Sequence, residues 1–329
     1  MIKFYDIYNQ DKYLHKTFIS ELKKHFKNSD FILGKSVETF ENNFSKFTKS
    51  NFSVGCANGT DALYLALKTL ELPKNSEVIV PAMTWISTVL AIINNGLKPI
   101  LVDVNENNSL ISLNNIKKNI TKKTKVILPV NLYGNVVNIK EIKKIIGNKK
   151  IFIIEDSAQA HGGKDDFGKM VGKYSDMSCY SFYPGKNLGC YGDGGLITTN
   201  NKKYYEKLVK FRNLGSKFKH VHEEIGINSR LDTIQATLLN IKLKYLNKLN
   251  NKRRKIANFY NKNINNKKIN ILKYSKFAVY HQYVILVNNR ENLIKYLKKN
   301  SIQFGIHYPL SINKLKCFKN IFKNKKFIN

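Results

Sequence analysis

The sequence predicts an α/β protein: a mainly parallel sheet lies between layers of helices, and a smaller α+β domain follows at the C-terminal end. From about residue 53, short β-rich runs alternate with longer amphipathic stretches. The runs are continuously apolar, which is typical of strands covered on both faces of a parallel sheet. A long helical pattern near residue 235 then leads out of this alternation. We therefore predict a large domain over residues 1–235 and a small domain over residues 236–329.

The elements follow from hydrophobic periodicity and from the turn residues between them. The predicted strands are 77–81, 100–104, 125–130, 151–155, 178–183 and 195–199. The predicted helices are 60–70, 85–94, 139–146, 202–211 and a longer one over 230–249, followed by a charged stretch at 250–255.

Composition limits the class of protein. The chain has 329 residues, of which 43% are hydrophobic and 12% aromatic, as expected for a folded globular protein. The longest apolar stretch, 78–93, is too short to span a membrane and is interrupted by Thr84, Ser87 and Thr88. The N-terminus has no run of the signal-peptide type. The four cysteines and seven histidines show no metal-binding spacing. We expect a soluble, cytoplasmic protein without a metal or a membrane segment.

The formal charge of +33 raises the possibility of a nucleic-acid-binding protein. However, the sequence contains 51 Lys and only 5 Arg, whereas Arg is the favoured residue for bidentate phosphate and base contacts. Lysines are also spread along the whole chain. We interpret the charge as a solvated Lys-rich surface produced by compositional bias, and we predict no nucleic-acid partner.

Ligands of open α/β sheets bind at the carboxyl ends of the strands, so polar residues that follow the strands are the candidates for a site. Gly59 and Thr60 open a predicted helix, whose free amide groups suit a phosphate. An ordinary helix cap explains this motif equally well. Asp156 ends a predicted strand, and its carboxylate could pair with a protonated ring nitrogen, although a capping role is the simpler reading of that residue alone.

A lysine in a Pro/Gly-rich turn is the most informative single residue. Lys186 lies in SFYPGKNLGCYGDGG, directly after a predicted strand, and none of the other lysines has this context. Rigid backbone on both sides would hold its amine toward the strand ends, and a desolvated lysine can form a Schiff base with a carbonyl group.

Eight ordered motifs resemble the DegT/StrS sugar-nucleotide aminotransferases, a group of fold type I enzymes that depend on pyridoxal 5'-phosphate. The resemblance runs from about residue 32 to residue 309, and its motifs are NGTDALYLAL, VIVPAMTWIST, PILVDV, NLYGN, IIEDSAQAHGG, SFYPGKNLGCYGDGG, KFRNLGS and GINSRLDTIQA. It implies that Lys186 is the Schiff-base lysine and the acid/base, that Asp156 pairs with the pyridine nitrogen, and that Gln159 lies beside the phenolic oxygen.

The same resemblance implies the remaining site residues. Gly59, Thr60 and Ser181 match the phosphate-binding positions, and Trp85 matches the aromatic residue that stacks on the pyridine ring, although a core aromatic is the alternative. Asn228 matches a residue that reaches the phosphate from the neighbouring subunit, which implies a homodimer with shared active sites. The substrate-binding candidates are Arg230, His307 and Tyr308.

Two departures from the family pattern concern the C-terminal end. In HYPLSIN, Ser311 replaces a proline and Asn313 stands where a histidine is common, so the substrate contacts there are open. The chain ends at Asn329, earlier than usual in the family, and we expect the last strand and helix of the small domain to be missing. Such a truncation could impair activity.

The expected reaction moves an amino group from an amino acid, by resemblance L-glutamate, to a keto group of a nucleotide-linked sugar, in polysaccharide or amino-sugar biosynthesis. The HYP segment favours a 3-keto over a 4-keto sugar. A related dehydratase is the first alternative, but those relatives have histidine in place of the lysine. The other alternative within the family is a regulatory or catalytically impaired homologue.

Overall fold

A computed structural model describes residues 1–322 of the chain. Its centre is a seven-stranded sheet in the order β1-β7-β6-β5-β4-β2-β3, in which β7 alone runs against the other strands. The predicted mainly parallel sheet is therefore confirmed. The strands are β1 (Phe52–Cys56), β2 (Glu77–Pro81), β3 (Lys98–Val102), β4 (Thr124–Ile127), β5 (Phe152–Asp156), β6 (Met177–Ser181) and β7 (Gly195–Thr199).

Helices cover both faces of this sheet because successive strand residues point to opposite sides. Ile154 of β5 packs into the core beneath one helical layer, whereas its neighbour Ile153 packs into the core on the other face. The first layer contains α4 (Gly59–Thr69), α5 (Ile86–Asn94) and α8 (Lys202–Phe211). The opposite layer contains α3 (Lys35–Thr48), α6 (Leu113–Asn119), α7 (Ile139–Ile146) and α9 (Thr233–Leu243).

The N-terminal segment forms α1 (Ile7–Asp11), a 3₁₀ turn at Lys12–Leu14 and α2 (His15–Asn28), which packs against α9. Residues 216–222 form a small ladder of β8 (Ser216–Phe218) and β9 (Val221–His222). The chain after α9 forms α10 (Leu246–Asn263), β10 (Ile269–Ile271), β11 (Ile285–Val287), α11 (Arg290–Lys299) and 3₁₀ turns at Ile312–Lys314 and Lys316–Phe318. Strands β10 and β11 pair in antiparallel fashion.

The single helix predicted over 230–249 is wrong. Asp232 is extended and precedes α9, and a turn at Lys244 and Tyr245 separates α9 from α10. The charged stretch 250–255 lies inside α10, and its lysines are exposed on the outer surface of that helix. Strand β1 was not predicted; it is only five residues long and contains Gly55. The domain division near residue 235 stays a prediction.

Within residues 1–322, no helix combines the length and the apolarity that a membrane crossing requires. The expected loss of the last strand and helix concerns a chain end that includes residues 323–329, which lie outside the described residues.

Candidate active site

A cavity of about 510 Å³ opens where the carboxyl ends of β5 and β6 meet the first turns of α4 and α5. We call it the strand-end cavity. It brings together nine of the eleven predicted site residues, which are Gly59, Thr60, Trp85, Asp156, Gln159, Ser181, Lys186, His307 and Tyr308. The topology explains this gathering, because parallel strands end at one edge of the sheet and the loops that follow them converge there.

Asp156 is the last residue of β5 and is 6% exposed. Its Oδ2 accepts a hydrogen bond from the Thr88 hydroxyl at 2.8 Å, and its Oδ1 accepts one from the Ala158 amide at 3.2 Å. Burial raises the pKa of the Asp156 carboxyl, while these hydrogen bonds and the charge of Lys186 oppose that rise. The carboxyl group is therefore fixed in position, and a nearby cation favours its charged form.

Lys186 lies in the turn that follows β6, where its amide donates to the Tyr183 carbonyl at 2.9 Å. The side chain is partly buried and lines the strand-end cavity. Desolvation lowers the pKa of its amine to about 8, against the opposing charge of Asp156. A larger fraction of this lysine is consequently a free, nucleophilic amine near neutral pH than of an ordinary surface lysine.

Gly59 allows the first turn of α4 to approach the end of β6. A Cβ at this position would lie 2.6 Å from the Cβ of Ser181, so no side chain fits. Thr60 donates its hydroxyl proton to Ser87 at 2.8 Å, and Asn58 caps α4 by accepting from the Asp61 amide. Backbone amides and hydroxyl groups therefore converge at one helix N-terminus, which is a suitable arrangement for a phosphate.

The opposite wall comes from the loops after β4 and β5 and from the C-terminal segment. Gln159 accepts a hydrogen bond from the Tyr133 amide and donates one to the Tyr308 hydroxyl at 3.1 Å. The Tyr133 hydroxyl in turn donates to the main-chain oxygen of His307. Burial raises the pKa of Tyr308 to about 12, so its hydroxyl stays protonated. These bonds attach the HYP segment, residues 307–309, to the loops that follow β4 and β5.

Trp85 immediately precedes α5 in an extended conformation. The residue is 58% exposed, and its ring centroid lies 5.7 Å from that of Tyr308. This exposure contradicts the alternative that Trp85 is a core aromatic. A large exposed ring at the mouth of a cavity is suited to stacking on a planar ligand.

Two predicted site residues do not line the strand-end cavity of this chain. Asn228 is exposed and pairs through its backbone with Asn213. Arg230 donates to the Asn213 side chain at 3.2 Å. Between them, buried Ser229 donates to Asp61 at 2.7 Å, so this segment is attached to the first turn of α4. The action of Asn228 on a neighbouring subunit stays a prediction.

Several residues of this site were not predicted. Thr88 holds Asp156, and its signal was visible in the sequence as polar residues that interrupt the apolar stretch 78–93. Tyr5 and His281 also line the strand-end cavity. They come from the N-terminal segment and from the chain after α10, and no local pattern marks either residue.

The residues of the strand-end cavity fit pyridoxal 5'-phosphate at three separate points. The close approach of Gly59 and Ser181 leaves amide and hydroxyl groups for the phosphate. The Asp156 carboxyl is available for a protonated ring nitrogen, and the Lys186 amine for an aldehyde. The chemistry of these groups therefore suits the cofactor that the sequence predicts.

Comparison with known proteins gives the same answer. A model of the DegT/DnrJ/EryC1/StrS aminotransferase family matches residues 12–329. The dTDP-3-amino-3,6-dideoxy-alpha-D-galactopyranose transaminase of Aneurinibacillus thermoaerophilus is 39% identical, over 97% of this chain and 88% of that protein. The structure of S. venezuelae DesV in complex with a ketimine intermediate has a TM-score of 0.93 and 32% identity, over 97% and 86% of the two chains.

A third relative bears on the cofactor. The structure of NtdA from Bacillus subtilis, solved with bound cofactor PMP, has a TM-score of 0.89 and 29% identity, over 95% of this chain and 74% of that chain. Since the family model spans almost the whole sequence, the chain belongs to the DegT/DnrJ/EryC1/StrS aminotransferase family and is a pyridoxal-phosphate-dependent aminotransferase of fold type I.

Proposed function

We propose that this aminotransferase moves an amino group from an amino acid, L-glutamate, to a keto group of a nucleotide-linked sugar, preferentially a 3-keto sugar. The observation that carries the proposal is the presence of the Lys186 amine and the Asp156 carboxyl on one cavity, with the charge of each acting on the other. Relatives that aminate dTDP- and UDP-linked sugars support the substrate class.

Each side chain has a definite task in this reaction. Bound pyridoxal phosphate supplies an aldehyde and an electron-withdrawing ring. Asp156 holds the proton on the pyridine nitrogen, and Thr88 keeps the carboxylate oriented for that purpose. Lys186 would hold the cofactor, and its amine would move a proton between the reacting carbon atoms, a role that its lowered pKa suits near neutral pH. Gly59, Thr60 and Ser181 bind the phosphate.

The presence of Lys186 argues against the alternative that this protein is a dehydratase. The related dehydratases have histidine in place of this lysine, and an imidazole cannot form a Schiff base with an aldehyde, whereas the primary amine of Lys186 can. The same residue is desolvated and lines one cavity with the Asp156 carboxyl, which also argues against a catalytically impaired or regulatory homologue.

We further propose that the enzyme is a cytoplasmic homodimer in which Asn228 completes the phosphate site of the partner subunit. Asn228 is exposed, and the adjoining loop presents large apolar side chains to the surface. Ile225 is 86% exposed, Phe218 66% and Val221 47%. Apolar residues grouped in this way are typical of a protein interface.

An absorbance experiment tests the assignment of the cofactor lysine. The purified protein is expected to show a band at about 400–430 nm that disappears on borohydride reduction, because the lysine forms a Schiff base. Lys186→Ala should lack the lysine-dependent band. Lys173→Ala, which removes an exposed lysine from the preceding loop, should retain it. A band that survives in Lys186→Ala and stays sensitive to borohydride contradicts the assignment.

The substrate class is tested by following the two half-reactions separately. L-Glutamate should convert the absorbance to that of the aminated cofactor, and a nucleotide-linked 3-keto sugar should restore it. Kinetics should be of the ping-pong type. Restoration by a 4-keto sugar alone refutes the 3-keto preference, and restoration only by free oxo acids refutes the nucleotide-sugar assignment.

Mixed dimers test the shared site. Lys186→Ala and Asn228→Ala subunits are co-expressed with different tags, and the heterodimer is isolated. If Asn228 acts across the interface, one of the two sites in the heterodimer has both residues intact, and it should regain cofactor binding and activity. Heterodimers no more active than either parent contradict the role of Asn228.

A further inference from the structure

A row of buried amide side chains connects the Lys186 turn to the C-terminal part of the chain. Asn187, directly after the lysine, is 3% exposed. Its Nδ2 donates to the main-chain oxygen of Val279 and to Oδ1 of Asn250, both at 2.9 Å. Asn250, on α10 and 1% exposed, donates from its own Nδ2 to the main-chain oxygen of His161 at 2.8 Å.

The two main-chain oxygens fix the orientation of both amides. A carbonyl oxygen can only accept a hydrogen bond, so the NH₂ group of Asn187 must face Val279 and that of Asn250 must face His161. The usual ambiguity between the amide oxygen and nitrogen is thereby removed at both positions. The Oδ1 of Asn187 consequently points toward Nδ1 of His281, at 3.2 Å.

This contact determines which ring nitrogen of His281 carries the proton. Since Oδ1 of Asn187 can only accept, Nδ1 of His281 is the N–H donor. Burial lowers the pKa of His281 well below its ordinary range, and the positive charges of Lys186 and Arg253 act in the same direction. The ring is therefore neutral near pH 7, and its lone pair is on Nε2.

His281 lies beside the reacting groups, since it lines the strand-end cavity together with Lys186. Its Nε2 forms no hydrogen bond with any residue in 1–322. This atom is not fully enclosed by the protein. Nε2 therefore keeps exposure to the open space that His281 lines, which comprises the strand-end cavity and an adjoining cavity that Lys186 also lines. An acceptor there, next to a catalytic lysine, matches a donor-rich primary amine.

We propose, on the basis of the proposed aminotransfer, that His281 is a further active-site residue whose Nε2 accepts a hydrogen bond from the amino group that is transferred. Asn187 and Asn250 are positioning residues that act through the imidazole. In this arrangement the turn that carries Lys186 and the segment that carries His281 are joined by the same amide. The lysine and the acceptor therefore keep a fixed relation to each other.

The state of the ring is measured by NMR on the full chain labelled with ¹⁵N-histidine. The His281 signals are identified by their absence in His281→Gln. We expect an imidazole with Nδ1 protonated and Nε2 unprotonated, unchanged between about pH 6 and pH 8. Asn187→Ala removes the acceptor and should produce a mixture of the two neutral forms. A wild-type ring protonated on Nε2, or an Asn187→Ala spectrum identical to that of the wild type, overturns the proposal.

Kinetics tests the role of the acceptor. His281→Phe keeps a ring but has no acceptor, and it should lose about tenfold or more in kcat/KM in both half-reactions while the cofactor absorbance remains. His281→Gln retains an acceptor and should lose less. His161→Phe is the matched control, because His161 is another buried histidine that packs on Tyr180 and Phe182 and does not line the cavity.

The possible failures are distinguishable. Unchanged kcat/KM in His281→Phe refutes the role of His281 while the aminotransfer stands. A wild-type protein that transfers no amine refutes the proposed function, and the NMR experiment still decides the ring state. If His281→Phe does not fold, His281→Gln and Asn187→Ala decide the question, and wild-type kinetics in both variants contradicts the proposal.

Discussion

Two lysines in this molecule are desolvated and are influenced by the charge of an aspartate, but only one of them forms an ion pair. Lys242, on α9, is 2% exposed and forms an ion pair of 2.7 Å with Asp11 at the end of α1. Lys186 forms no ion pair within residues 1–322, although the charge of Asp156 acts on it across the strand-end cavity. The difference lies in the distance to the carboxylate and not in burial alone.

The comparison shows how one residue type serves both stability and chemistry. The Lys242 ammonium is engaged in the fold. It forms the ion pair with Asp11 and lies 5.5 Å from the ring centroid of Tyr191, whose hydroxyl donates a hydrogen bond to Asp11. Lys186 has a desolvated amine with a pKa of about 8, and within residues 1–322 its side chain forms neither a hydrogen bond nor an ion pair. A lysine kept apart from its carboxylate stays reactive, whereas a paired lysine joins two elements of the fold.

The largest expected effect comes from the unpaired lysine. Lys186→Ala should lower kcat by more than about 10³-fold, because both the attachment of the cofactor and the proton transfer are lost. The fold should be retained, since this side chain has no hydrogen-bonding partner in the described residues to lose. The measurement is single-turnover amination together with thermal unfolding. Loss of the folded state in Lys186→Ala removes the contrast between the two lysines.

The paired lysine should show the opposite pattern. Lys242→Met leaves Asp11 buried without its cation and should destabilise the protein by about 3–5 kcal/mol, measured by urea unfolding. The double variant Lys242→Met with Asp11→Leu removes both charges and should recover much of this loss. At a temperature where the variants are folded, kcat/KM should stay within about threefold of the wild type. A loss of activity as severe as that of Lys186→Ala shows that Lys242 also takes part in the chemistry.

The sequence identified the functional lysine more easily than the structural one, for a physical reason. Asp156 and Ser181 end strands and Lys186 follows one, so a local pattern places them at one edge of a parallel sheet. The partner of Lys242 is 231 positions away in sequence, and nothing near either residue reveals the pair.

The same limit applies to the cavity wall. Tyr5 and His281 reach the strand-end cavity from distant segments, and sequence periodicity does not report such contacts. Thr88 is intermediate, because a threonine inside an apolar helix is visible while its bond to Asp156 is not. The turn that divides α9 from α10 was missed since the helical pattern continues through Lys244 and Tyr245.

A pH experiment measures the lysine comparison directly. Trace labelling with acetic anhydride, followed by mass spectrometry of the peptides, gives the reactivity of each lysine in the full-length, cofactor-free protein. Lys186 is an ammonium below its pKa of about 8, so its labelling should rise about tenfold per pH unit up to that value and then level off. Exposed Lys173 serves as the control for the general dependence of the reagent on pH. Equal profiles for Lys186 and Lys173 contradict the desolvation of Lys186.

The smallest expected effect isolates the part of this pKa that Asp156 controls. Burial lowers the pKa of Lys186 and the Asp156 charge raises it, so Asp156→Asn should lower it further. More of the amine is then free at pH 7, and labelling of Lys186 in the cofactor-free protein should rise about two- to fivefold, while Lys173 is unchanged. Asn is nearly isosteric and can still accept the hydrogen bond from Thr88, so the cavity should keep its shape. An unchanged rate means that the Asp156 carboxyl is already neutral at pH 7 in the absence of a cation. In that case the electrostatic link between the two residues forms only when a protonated ring nitrogen is present.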